Sequence, residues 1–65
     1  MMIKPSSSDM IASDVNPDGG FRTYLIADGY INRTWDYRTF TTLKAANKYA
    51  RRVAKRYFLK ISLLE

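Results

Sequence analysis

Six cations recur through one short stretch of the chain: Lys44, Lys48, Arg51, Arg52, Lys55 and Arg56. On a helix that turns roughly 100° per residue, Lys44, Lys48, Arg51 and Lys55 share an arc of about 60°, and Arg52 and Arg56 flank it. No Asp or Glu interrupts the stretch, so the i,i+4 Glu–Lys pairs that neutralise an ordinary surface helix are absent. The chemistry open to such a row is neutralisation of a polyanion, with ammonium and guanidinium groups meeting phosphate oxygens and displacing counterions. The plainer alternative is that a small basic protein carries its charge only for solubility.

Covalent chemistry has little to work with. The chain contains no histidine and no cysteine, which removes the commonest general base, the commonest metal ligand and the thiolate nucleophile together. Asp18-Gly19-Gly20 lacks the spacing and the following Lys-Ser/Thr of a phosphate loop. The aspartates are scattered, no two of them on a common expected face, and Ser6, Ser7 and Ser8 have no base nearby. No enzyme, metal or cofactor is expected.

The element that must carry the cations is a helix over 41–58. Thr41 or Thr42 supplies the N-cap, and no Gly or Pro follows. Leu43, Ala46, Ala50, Val53, Ala54 and Tyr57 form its apolar stripe. Beyond Tyr57, Phe58, Ile61 and Leu64 continue the helical spacing while residues 59–63 alternate as a strand does. The absence of a breaker favours helix to about Lys60 and then a short extended end, with a third strand on the hairpin as the alternative. Left exposed, Phe58, Leu59, Leu63 and Leu64 would be a homodimer or partner surface.

Before the helix, residues 21–37 read as a β-hairpin around Asp28-Gly29, rich in aromatic and β-branched residues. A two-residue loop sets Ile26 opposite Ile31 and mixes apolar and charged residues on both faces. A three-residue loop, with a bulge at Gly29, pairs Ile26 with Tyr30. It gathers Phe21, Leu25, Ile31, Trp35 and Tyr37 on a core face, with Thr23 and Arg33 among them, and leaves Arg22, Tyr24, Tyr30 and Asn32 exposed as a cluster. The coherent core face makes this the expected register. Residues 1–20 read as a flexible arm, or one that packs Met10 and Ile11 onto the domain: Ser6-Ser7-Ser8-Asp9 can cap a single helical turn through Met10-Ile11-Ala12, and 16–20 is a loop. The expected architecture is α+β, a small two-layer domain at 21–65 in which an antiparallel β-hairpin packs on one amphipathic basic helix. Phe40 and Trp35 are expected in its core.

The stretch Arg38-Thr39-Phe40-Thr41-Thr42-Leu43-Lys44-Ala45-Ala46-Asn47-Lys48-Tyr49-Ala50, preceded by a hairpin, resembles the strand-to-helix junction of the AP2-like DNA-binding domains of phage and transposon integrases. The likeness covers roughly residues 21–56 on a short, degenerate motif. It implies a helix pinned by an aromatic, a Thr and a downstream Ala to a sheet that reads DNA, in a phage or mobile-element protein. Small phage proteins that inhibit host defence, anti-CRISPR proteins among them, also combine a hairpin with a helix.

Charge separates the two ends of the chain. Residues 1–40 carry a net −1 and residues 41–65 a net +6, giving the total of +5. A basic excess gathered on one helix points to a polyanionic partner. The expected function is therefore non-enzymatic nucleic-acid binding, DNA before RNA, with Lys44, Lys48, Arg51, Arg52, Lys55 and Arg56 on phosphates and Arg22, Tyr24, Tyr30, Asn32 and Arg33 shaping the fit. The alternative is an inhibitor or adaptor docking on an acidic surface of a host protein complex, with Tyr24, Tyr30, Tyr49 and Phe58 as anchors. The first eight residues lack the apolar run of a secretory signal. A cytoplasmic protein that does not engage membranes is expected.

Overall fold

The computed structural model describes residues 5, 6 and 8–64. Its elements are β1 (Met10–Val15), β2 (Phe21–Ala27), β3 (Tyr30–Asn32), β4 (Arg38–Phe40), α1 (Leu43–Tyr57) and β5 (Lys60–Ser62). They form a five-stranded mixed sheet, in the order β3-β2-β1-β5, with β4 also pairing β2 and the helix packed on one side. The expected α+β two-layer domain is the observed architecture, with a larger sheet than the hairpin alone. No helix among the described residues is long and apolar enough to cross a membrane.

The main correction concerns the amino-terminal arm. Residues Met10–Val15 are a strand inside the sheet, antiparallel to β2 on one side and parallel to β5 on the other. Met10, Ile11 and Ala12 therefore form no helical turn, and Ile11 is completely buried. Alternation explains the outcome: Ile11 and Ser13 face the helix while Ala12 and Asp14 face away, and the turn at 16–20 makes Met10–Ala27 a hairpin of its own. Gly20 has a φ of 73°, and a Cβ there would lie 2.5 Å from the Phe40 carbonyl oxygen, so only glycine lets β4 approach. Of the expected arm, residues 1–4 and Ser7 lie outside the described residues.

The second correction is the register. Ala27 pairs with Tyr30, Ile26 with Ile31 and Leu25 with Asn32, which is the two-residue loop. Asp28 and Gly29 have φ of 55° and 81°, the left-handed pair whose twist matches that of the strands it joins. No single core face forms across 21–37, because the second strand does not run to Tyr37. It stops at Asn32, whose Oδ1 accepts from the backbone N–H of Thr34 (2.9 Å) and of Trp35 (3.1 Å). The chain turns out of the sheet and returns as β4, pairing Thr23 with Arg38. That excursion lets Trp35 pack against the core, edge-on to Tyr57 at 5.2 Å. Tyr37 instead stacks on Tyr24 on the far side of the sheet, at 6.2 Å, and is not part of the core.

The helix begins where expected. Thr42 Oγ1 accepts from the Ala45 N–H at 3.2 Å. Ala46, Ala50, Val53 and Ala54 are buried, the last three clustered with Ile11 and Leu25, and these small side chains bring helix and sheet close enough for Thr23 Oγ1 to donate to the Ala46 carbonyl at 2.8 Å. Phe40 tilts against Tyr49 at 5.5 Å. The helix ends at Tyr57, not near Lys60. Phe58 takes left-handed φ and ψ of 56° and 45°, and the Leu59 N–H donates to the Ala54 carbonyl at 2.9 Å, turning Leu59 into the core. The tail becomes β5 and pairs with β1, not with the β2–β3 hairpin. Asn47 ties this corner together: it bonds Ser13 of β1 and donates through Nδ2 to the Leu64 carbonyl at 3.0 Å.

Candidate nucleic-acid interface

All six helix cations lie on the outside of α1. Lys44, Lys48, Arg51, Arg52, Lys55 and Arg56 are each exposed, because the buried alanines and Val53 on the opposite arc hold the helix in one rotation. The row from Lys44 to Lys55 runs about 16 Å at ~1.5 Å per residue. Among the described residues, none of the six makes an ion pair; the two ion pairs found are Arg22–Asp14 and Arg38–Asp36. Lys48 and Arg52 rim a shallow depression floored by Phe40, Ala45 and Tyr49. Arg56 lies 5.7 Å from the Tyr57 ring centre. With no carboxylate among the described residues paired to them, these charges add into one positive surface, suited to a row of phosphates.

The sheet residues expected to join them do not. Arg22 is 8% exposed. Its Nε donates to Asp14 Oδ1 at 2.6 Å, its Nη2 to Asp14 Oδ2 at 3.3 Å and its Nη1 to the Tyr37 hydroxyl at 3.2 Å. Tyr24 is buried beneath the same guanidinium, 4.8 Å from ring centre to Cζ, and its hydroxyl donates to Asp14 Oδ2 at 2.8 Å. The result is a closed network of one carboxylate, one guanidinium and two phenols. The Arg22 hydrogen bond holds the Asp14 carboxyl below its ordinary value. Arg22 is held more firmly protonated by Asp14. Burial, and then its hydrogen bond to Asp14, pushes the Tyr24 phenol up, while the bond from Arg22 brings Tyr37 down. Three of its five N–H donors are thus engaged, and at 8% exposure the guanidinium presents little of the other two to a phosphate.

The other three sheet candidates separate as well. Asn32 spends its side-chain oxygen on the turn at 32–35. Tyr30 is 78% exposed at the hairpin tip. Arg33 is exposed in the excursion between β3 and β4, and its guanidinium sits 5.2 Å from the Tyr37 ring centre. An open groove of about 490 Å³ runs between the 33–38 excursion and Tyr57. Within it Arg38 is bonded to Asp36 at 2.8 Å, and Asp36 also accepts from the Tyr49 hydroxyl at 2.7 Å.

Sequence reasoning missed Asp14. The clue was present: read as a strand, Met10–Val15 pairs with Phe21–Ala27 and puts Asp14 directly opposite Arg22, an opposite-charge cross-strand pair. The condition for an apolar tail surface is met only in part, since Leu59 is buried and Leu63 packs on the core. Only Phe58 and Leu64 of those four remain exposed. No family model, curated protein or solved structure matches this chain.

Proposed function

We propose that the protein binds nucleic acid, without catalysis, through the outer face of α1. The observation that supports this reading is the row of six exposed helix cations, none ion-paired among the described residues. Phosphate contacts dominate such binding, so affinity is steep in salt and weak in sequence preference. Arg22 and Tyr24 have no part in contact; they hold the sheet against which the helix is mounted.

Fluorescence anisotropy with a short labelled DNA duplex, at several salt concentrations, tests the reading. Six phosphate contacts give a slope of log K against log salt of roughly −5. Absence of binding even at low salt overturns it. A second reading, an adaptor docking on an acidic protein surface, is favoured by Tyr30, an aromatic 78% exposed at the hairpin tip. There, replacing Tyr30 by Ala weakens partner capture and leaves DNA affinity unchanged.

A further inference from the structure

Phe58 breaks a local rule. A left-handed residue ending a helix is usually glycine, since a Cβ is strained there and a bulky aromatic is an uncommon occupant. Phe58 occupies that position with φ of 56° and recovers nothing by packing. It is 83% exposed, the most exposed of the large apolar side chains, and its ring pairs with no aromatic or cation among the described residues. Its neighbours Tyr57 and Leu59 both turn inward to the core, and the Leu59–Ala54 bond locks the turn between them. The ring therefore stands on a rigid pedestal. Lys55, Arg56 and Lys60, all exposed, flank it in the chain.

We infer that Phe58 is a stacking platform for an unpaired base, so that single-stranded nucleic acid is the preferred ligand of the cationic helix. The inference rests on the proposed function and names the form of its partner. A free aromatic face beside several cations matches a strand whose phosphates track the charges and whose bases are open for stacking. A duplex satisfies the cations equally well but keeps its base faces covered by their own neighbours. The strain at Phe58 is retained for binding, because relieving it would remove the ring.

The test measures anisotropy of the full chain with a labelled oligothymidine and with a duplex of equal length, alongside thermal melting. The unaltered protein binds the single strand more tightly. Phe58→Gly melts higher, since glycine relieves the left-handed strain. It binds the single strand about tenfold more weakly, the loss of one stacking contact, with duplex affinity unchanged. Phe58→Trp retains single-strand binding, and Phe58→Leu, apolar but without a π face, loses it as glycine does. Single-strand affinity untouched in Phe58→Gly, or fully kept in Phe58→Leu, overturns the platform while duplex binding leaves the helix reading standing. If the unaltered protein binds neither ligand at low salt, both readings fall.

Discussion

On the sheet face Arg22 is 8% exposed and bonded to Asp14 and Tyr37, whereas on the helix face Arg52 is exposed and makes no ion pair among the described residues. The same side chain serves two ends. Beside Asp14, its charge is consumed in holding strands β1 and β2 and the 33–38 excursion together. On α1 no acid among the described residues pairs with the cations, and the charge is left for a ligand. Basic residues counted together in a composition thus divide by whether a carboxylate is placed opposite them. Among the cations expected at the interface, that criterion removes Arg22 and retains the six on the helix, together with Arg33, which lies off the helix beside Tyr37.

The comparison can be broken from either side. Reversing charge on the helix, Lys48→Glu with Arg52→Glu, is expected to lower duplex affinity by about two orders of magnitude, as phosphate contacts become repulsions. The melting temperature stays close to that of the unaltered protein, because neither side chain packs. A folded double variant with normal binding would place the interface elsewhere. On the sheet face the effect is opposite in kind. Asp14→Ala leaves the Arg22 guanidinium buried without its partner and is expected to cost about 2 kcal/mol. In a domain this small, with roughly 3–5 kcal/mol in hand, that is a large share. Urea unfolding measures it, and the salt slope of DNA binding for the folded fraction remains as before.

Acid sharpens the same contrast. Asp14 is held below its ordinary carboxyl value of 3.8 in the folded state. Its contribution is therefore complete above the unfolded value and is lost as pH falls through the folded one. Stability should decline below about pH 4, and Asp14→Asn should flatten that part of the profile while lowering its plateau. Asn32→Ala removes the oxygen that organises the 32–35 turn and is expected to cost about 1 kcal/mol with DNA affinity unchanged. A drop in affinity with intact stability would return Asn32 to the interface. The smallest effect is expected for Tyr30→Ala, within about 0.5 kcal/mol in stability and without change in DNA binding.

The helix was legible in residue order because its determinants are local. The Thr cap, the 3.6-residue spacing of Ala46, Ala50, Val53 and Ala54, and the absence of Gly and Pro act over a single turn and need no partner. The exposure of the six cations followed directly, since an apolar stripe on one arc dictates which arc faces water. The α+β class was legible for the same reason: a strand-rich half precedes a helical one.

Pairing was a different matter. Whether Asp28-Gly29 closes a two- or three-residue loop depends on how far the next strand runs, and that was decided by Asn32 bonding the turn behind it. Whether Met10–Val15 is an arm or an inner strand depends on a surface to pair with, supplied on one side by β2 and on the other by residues fifty positions away in β5. Hydrogen bonds between strands are satisfied by backbone common to every residue, so residue identity constrains them weakly. By itself, then, the sequence determined one rigid cationic helix and its outward face. Only the tertiary structure decided that Asp14 would claim Arg22, that Tyr24 would be covered, and that Phe58 would be left standing in the open, because each outcome turns on which strand lies beside which.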